Sequence, residues 1–207
     1  MNQTFSQNLR KYLIMGSQNC EHDPVEILQS AISAGITAFQ FREKGEGALK
    51  GNEKLRLGHK LREVCTQYHI PFIVNDDIEL VYSLEADGIH VGQEDKSVEE
   101  LRRLFPHKII GLSVSNLHEV STSPIQMVDY IGAGPVFNTT SKPDAKFAVG
   151  LEWITTLRER FLDLPICGIG GITTQNSASV IEAGANGVAV ISAITKAKNI
   201  EKAVGNL

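Results

Sequence analysis

The chain has 207 residues, 42% hydrophobic and 21% charged, the balance of a globular protein that buries a real core. Its 20 Lys and Arg stand against 24 Asp and Glu for a net charge of -4, with no basic block. That excludes an electrostatic nucleic-acid or membrane surface and favours a small-molecule partner.

Three cysteines, Cys20, Cys65 and Cys167, are widely spaced and outside any C-x-x-C pair, which reads as reduced thiols with Cys167 in the core. The opening MNQTFSQNLRKYLIMG has four consecutive apolar residues, too few for a secretory signal. No segment approaches the ~18 apolar residues of a membrane span. A cytoplasmic location is expected.

Short apolar runs then alternate with longer mixed segments. The first strand is expected at 11–16, KYLIMG. A helix follows in DPVEILQSAISAG, where Asp23 and Pro24 give a start signal and Val25, Leu28 and Ile32 share one face. In the second strand, 38–43, alternation sends Gln40, Arg42 and Lys44 into the interior and Phe41 and Glu43 outward. A cation pair so placed needs an anion to offset its desolvation, and a rim salt bridge is the plainer alternative.

The third strand, 71–76, runs into Asn75, Asp76 and Asp77, and the fourth, 88–92, leads to Glu94 and Asp95. Asp76 and Asp95 hold similar positions on consecutive strands, which lie about 4.8 Å apart in a parallel sheet. Their carboxylates could share Mg2+, a hard ion satisfied by two carboxylates, waters and substrate oxygens. Helix capping is the alternative for a single acid there, and it suits Asp77. His90, inside the apolar fourth strand, reads as a core residue.

The fifth strand, 108–114, carries Ser113, and the sixth, 128–134, opens the longest connection, NTTSKPDAK, with Thr139, Thr140, Ser141, Lys142 and Lys146. A long loop on a rigid rim suits a lid or binding loop. The seventh strand, 165–171, ends in Gly170 and Gly171. After it, TTQNSASVIEAG reads as a helix capped by Thr173 or Thr174 and closed by Gly184. The eighth, 187–192, leads through Ile191 and Ser192 toward a short helix, and a last short helix follows Ile200.

Eight strands alternating with helices, joined by echoing segments such as EADGIHVG and EAGANGVAV, predict a single-domain (β/α)8 TIM barrel over 1–207, with an open doubly wound sheet as the alternative. The barrel would gather all the polar strand ends on one rim, with loops seven and eight in the usual phosphate-binding place. No H-E-x-x-H, G-x-S-x-G, P-loop or G-x-G-x-x-G pattern is present, so nothing calls for zinc, NAD or a covalent serine.

Taken together, FQFREKG, PFIVNDD, ADGIHVGQED, IIGLSVS, DYIGAGPVFNTTSKPDA, GIGGIT and GVAVISAI resemble, in order and spacing, the thiamine phosphate synthase family, from about Ala34 to Ile194. The resemblance implies a (β/α)8 barrel joining 4-amino-2-methyl-5-hydroxymethylpyrimidine diphosphate to a thiazole phosphate, with release of pyrophosphate. It places Mg2+ on Asp76 and Asp95. Arg42, Lys44, Asn75, Ser113 and Lys142 match the residues that hold the pyrophosphate, Gln40 matches a pyrimidine contact, and Thr139, Ser141, Gly171, Ile191 and Ser192 match the thiazole phosphate site. The implied chemistry is dissociative: pyrophosphate leaves first, the aminopyrimidine stabilises the cation, and the thiazole nitrogen adds. Such a step needs charge stabilisation and positioning more than a general base. The expected partners are these small molecules, without nucleic acid or membrane, and the sequence leaves a homo-oligomer open.

Three positions depart from the family pattern. Asn138 stands where Pro is usual, Ser141 where Thr is common, and Ser115 where many relatives carry His. The last bears on the nearest rival, a thiazole tautomerase that uses that histidine. A non-catalytic binder of the thiazole phosphate is a third reading, and it would have no need of the pyrophosphate residues.

Overall fold

A computed structural model describes residues 3–141 and 147–207. Lys142 and Lys146, both singled out in the sequence, lie outside the described residues. The chain runs α1 (Gln3–Asn8), β1 (Lys11–Met15), α2 (Pro24–Ser33), β2 (Ala38–Phe41), α3 (Gly51–Gln67), β3 (Phe72–Asn75), α4 (Ile78–Ser83) and β4 (Gly88–Val91). It continues α5 (Val98–Leu104), β5 (Ile109–Val114), α6 (Leu117–Thr122), β6 (Tyr130–Ala133), α7 (Leu151–Arg160), β7 (Ile166–Ile169), α8 (Ser177–Glu182), β8 (Gly187–Val190), α9 (Ser192–Thr195) and α10 (Ile200–Gly205). The eight strands pair in chain order, all parallel, and β8 returns to β1 through Lys11 opposite Val188, so the barrel is closed.

Closure gives each strand two buried faces, which is why the strands read as nearly continuous apolar runs. Outward residues such as Phe39, Phe41 and Phe72 join the helices in the larger core, while Tyr12, Ile14, Ala38, Ile73, Tyr130, Cys167 and Ala189 fill the barrel interior. All three cysteines are free, and burial pushes the Cys167 thiol pKa well up. Among the described residues no helix is long and apolar enough to cross a membrane.

The amino-terminal end of the barrel is built by one device used four times. The side chain of the residue just before an even-numbered strand accepts a backbone N–H from the first or second residue of the odd-numbered strand beside it. Thr37 takes Lys11 N–H at 2.9 Å, Asp87 takes Phe72 N–H at 2.8 Å, Asp129 takes Ile110 N–H at 2.8 Å, and Asn186 takes Ile166 N–H at 2.8 Å. In three of the four an arginine from the helix that precedes the odd-numbered strand braces the acceptor: Arg62 on Asp87, Arg102 on Asp129 and Arg158 on Asn186. The echoed ADG and ANG segments are the sequence trace of this device.

Local details correct two expectations. Asp23 caps α2 through Val25 N–H as predicted, but α8 begins after Asn176 rather than at Thr173 or Thr174. Thr173 instead accepts Gln175 N–H in the turn before the helix, and its own N–H goes to Asn176 Oδ1. Likewise β2 ends at Phe41, so strict alternation stops before Lys44. Gln40 and Arg42 are buried, whereas the Lys44 side chain is about half exposed and lies on the rim.

Candidate active site

The carboxyl ends of the strands gather those sequence-predicted residues that the structure describes at one mouth, where they fall into two sectors. The first spans β2 to β5. Lys44 bonds the Asp76 carboxylate, and its pKa is raised first by that hydrogen bond and further by the charges of Asp76 and Asp95, while Arg42 opposes the shift. These four charged groups therefore share one electrostatic neighbourhood. Asp76 sits immediately after β3 with φ of 51°, a left-handed conformation uncommon for residues other than glycine and tolerated by Asp at functional sites. Its N–H reaches back to His90 O at 2.9 Å.

Neighbouring acids have other uses. Asp77 caps α4 through Leu80 N–H and pairs with Lys54 at 2.8 Å, and Glu94 is exposed. Asp95, also exposed, accepts Gly92 N–H at 2.7 Å, which ties its loop back to the end of β4. No cluster of three or more His, Cys, Asp or Glu side chains that could cage a metal occurs among the described residues. The donor set is thus two carboxylates beside lysine and arginine. It fits Mg2+ shared with an anionic substrate, because that ion keeps waters and substrate oxygens rather than an all-protein cage.

The second sector spans β6 to β8 and is made of hydroxyls and glycine. The loop from Gly134 to Gly150 carries Thr139, whose Oγ1 accepts Ser141 N–H at 3.2 Å, and Ser141 Oγ lies 3.4 Å from Ser192 Oγ at the start of α9. Gly170 and Gly171 both have positive φ, 86° and 65°. A Cβ on Gly171 would stand 2.5 Å from Asn138 O, and one on Gly170 2.4 Å from Pro135 Cβ. Both positions therefore require glycine, and the loops after β6 and β7 lie in direct contact. Ile191 occupies the N-cap position of α9 and accepts Thr195 N–H.

Between the sectors, inside the barrel, lies a polar chain. Gln40 Nε2 donates to Tyr12 Oη at 2.9 Å, Tyr12 Oη and Tyr130 Oη are 3.0 Å apart, Tyr130 Oη meets His90 Nδ1 at 2.8 Å, and His90 Nε2 meets Ser113 Oγ at 2.8 Å. Glycines make room for it: a Cβ on Gly111 would stand 2.2 Å from the Tyr130 ring, and one on Gly132 3.0 Å from His90 Cε1. Burial drives the Tyr12 and Tyr130 phenol pKa values upward. Gln40 Oε1 is buried and has no hydrogen-bond partner among the described residues.

This geometry can be set beside known proteins. The family model described as thiamine monophosphate synthase matches residues 11–194. The chain belongs to the thiamine monophosphate synthase family. It is 56% identical to the thiamine-phosphate synthase of Oceanobacillus iheyensis over 199 residues, 96% of this chain and 97% of that one. It superposes on the thiamine phosphate pyrophosphorylase of Pyrococcus furiosus with a TM-score of 0.85 at 32% identity, covering 98% and 95% of the two chains. The thiamine phosphate pyrophosphorylase of Bacteroides thetaiotaomicron, with a TM-score of 0.65 at 15% identity and coverage of 96% and 95%, shares the fold.

For this member of the thiamine monophosphate synthase family, sequence reasoning missed the polar chain because Tyr12, His90 and Tyr130 sit in apolar strands and each reads alone as core. The available signal was parity. All three fall on the inward register with Gln40 and Ser113, and glycines stand opposite, as Gly111 does across from His90 and Gly132 across from Ser113. Ser115, the departure from the family pattern, donates from both N–H and Oγ to the Glu119 carboxylate, and Asn116 beside it caps α6.

Proposed function

We propose that this enzyme is a thiamine-phosphate synthase of thiamine biosynthesis, joining 4-amino-2-methyl-5-hydroxymethylpyrimidine diphosphate to a thiazole phosphate with release of pyrophosphate. The observation that carries the reading is the two-sector mouth: a charged sector suited to a diphosphate faces a glycine and hydroxyl sector suited to a monophosphate.

In this reading Arg42, Lys44, Asn75, Ser113 and Lys142 bind the diphosphate and hold it as it departs. Lys44, bonded to Asp76 in the free chain, turns to the phosphate oxygens when substrate arrives. Asp76 and Asp95 would hold Mg2+, which offsets the charge that builds on the leaving pyrophosphate. Gln40 presents its unpartnered Oε1 to the pyrimidine amino group, fixing the ring while the aminopyrimidine bears the developing cation. Thr139, Ser141, Gly171, Ile191 and Ser192 seat the thiazole phosphate so that its nitrogen adds to that carbon. Positioning and charge stabilisation are the main contributions, and no general base is required. Ser115 supports this choice over a tautomerase, because its hydroxyl is committed to Glu119 at 3.0 and 3.1 Å and cannot shuttle a histidine's proton. The free thiols accord with a cytoplasmic location.

Purified protein given both substrates and Mg2+ is expected to form thiamine phosphate and pyrophosphate in equal amounts, with activity that follows a Mg2+ titration and is lost with chelator. Folded, Mg2+-supplied protein that forms no thiamine phosphate would overturn the reading, and isomerisation of the thiazole without Mg2+ would replace it with the tautomerase.

A further inference from the structure

The polar chain inside the barrel has a direction, set by the chemistry of its first member. An amide nitrogen can donate but not accept, so Gln40 Nε2–H donates a hydrogen bond to Tyr12 Oη. Tyr12 is 1% exposed, and its own proton needs an acceptor, which Tyr130 Oη supplies at 3.0 Å. Tyr130 in turn points its proton at His90 Nδ1, 2.8 Å away. A ring nitrogen that accepts leaves the imidazole proton on Nε2, where it donates to Ser113 Oγ at 2.8 Å. Ser113 Oγ then receives, and its single proton is left to point away from His90. Among the described residues that hydroxyl has no other partner, and Ser113 is partly exposed. With an N–H on both ring nitrogens, His90 and Tyr12 would both donate to Tyr130 Oη, and the Tyr130 proton would lose its acceptor on His90.

We propose that Tyr12, Tyr130 and His90 are positioning residues that transmit the orientation of the Gln40 amide to Ser113. They hold His90 as its Nε2–H tautomer and so make Ser113 a hydrogen-bond donor toward the substrate. One end of the chain thereby offers a bare acceptor, Gln40 Oε1, and the other offers a hydroxyl proton suited to a phosphate oxygen. The proposal rests on the functional reading above for the identity of the substrate, since it names Gln40 and Ser113 as the groups that meet the pyrimidine and the diphosphate. Reversing the amide would reverse every bond, turning Gln40 into a donor and Ser113 into an acceptor that repels an anionic oxygen. The chain thus ties recognition of the ring to recognition of the leaving group.

The test uses full-length protein labelled with 15N-histidine, without substrate, at neutral pH. Loss of one set of signals in His90→Gln identifies His90, and long-range 1H–15N correlations show which ring nitrogen holds the proton. Nε2–H is expected. Tyr12→Phe removes one oxygen from a residue with no hydrogen bond to His90 among the described residues, yet it is expected to convert His90 to a mixture of tautomers. The same variant should lower kcat about 10-fold, as loss of an outer hydrogen-bond partner commonly does, with the thiazole phosphate KM within about twofold. Tyr130→Phe, checked for native folding by near-UV circular dichroism, should give the same tautomer mixture and serves if Tyr12→Phe does not fold. A His90 protonated on Nδ1, an imidazolium, or a tautomer unmoved in the folded Phe variants would overturn the proposal. Protein with the expected tautomer and variant response but no thiamine phosphate formation would keep the proton order and reject the functional reading instead.

Discussion

The two ends of this barrel use charge in opposite ways. At the amino-terminal end the two acids of the acceptor device are spent: Asp87 accepts Phe72 N–H and Arg62, Asp129 accepts Ile110 N–H and Arg102, and Arg102 also donates to Met127 O and Lys108 O. At the carboxyl-terminal end the acids are only partly used. Asp95 accepts one backbone N–H and stands exposed, and Asp76 is held by a half-exposed lysine that can leave it. A charge whose hydrogen-bonding capacity is filled by the strands holds the fold together, whereas one with capacity to spare is available to a ligand. Acids at strand ends can therefore be sorted by what remains unpaired on them.

The largest expected effect comes from breaking the mouth. Asp95→Asn should lower kcat about 100- to 1,000-fold, the usual loss for one removed element of charge stabilisation, while the thiazole phosphate dissociation constant and the denaturant midpoint stay near wild type. Equal loss of turnover and thiazole phosphate affinity would dissolve the division of the mouth into two sectors. Asp129→Ala is the mirror experiment at the other end. It strands Ile110 N–H and takes from Arg102 its carboxylate partner, leaving that guanidinium its carbonyl acceptors, and should cost about 1–3 kcal/mol in urea unfolding while kcat of the folded protein is unchanged. A drop in kcat there would show that the two ends are coupled.

Gly171→Ala should fall between these cases. Alanine at a φ of 65° costs about 1–2 kcal/mol from its own backbone, and the 2.5 Å approach to Asn138 O forces the β6 loop to shift. Stability falls, and the thiazole phosphate KM rises more than kcat declines. A variant that lost stability at constant KM would remove this glycine from the phosphate site and leave it a role in loop packing alone.

The same contrast explains what the sequence disclosed. Each expected strand contains its observed strand, because burial on both faces writes a local apolar run, and the repeat of Ala, Asp or Asn, and Gly before strands follows from the acceptor device. Asp76, Asp95 and Lys44 were legible because charge at a strand end is conspicuous. The chain of Gln40, Tyr12, Tyr130, His90 and Ser113 was not, since it joins residues up to 118 positions apart whose pairing exists only once the barrel closes. The positive φ of Asp76 was equally silent, as no residue type demands it. Lys44 was placed inside because alternation was carried past Phe41, where the strand had already ended. The cap of α8 moved to follow Asn176 because Thr173 is used in the preceding turn.

Lys44 gives the smallest effect on stability and the sharpest test of spare capacity. Its folded pKa is raised above the ordinary lysine value of 10.5, first by the hydrogen bond to Asp76. The stabilisation from this pair is therefore complete below pH 10.5 and lost as pH rises through the higher folded pKa. Because the lysine side chain is 48% exposed, solvent screening keeps the pair within about 0–1 kcal/mol. Lys44→Met should hardly change unfolding at pH 7, and the small difference from wild type should vanish in strong alkali. Removing the ammonium also leaves Asp76 without its ion-pair partner and takes away a positive charge that acts on Asp95. Calorimetric titration of Mg2+ into substrate-free protein should then show tighter binding in Lys44→Met than in wild type, even as kcat falls for want of a pyrophosphate contact. Weaker binding in the variant would mean that the lysine organises these carboxylates instead of competing with the metal for them.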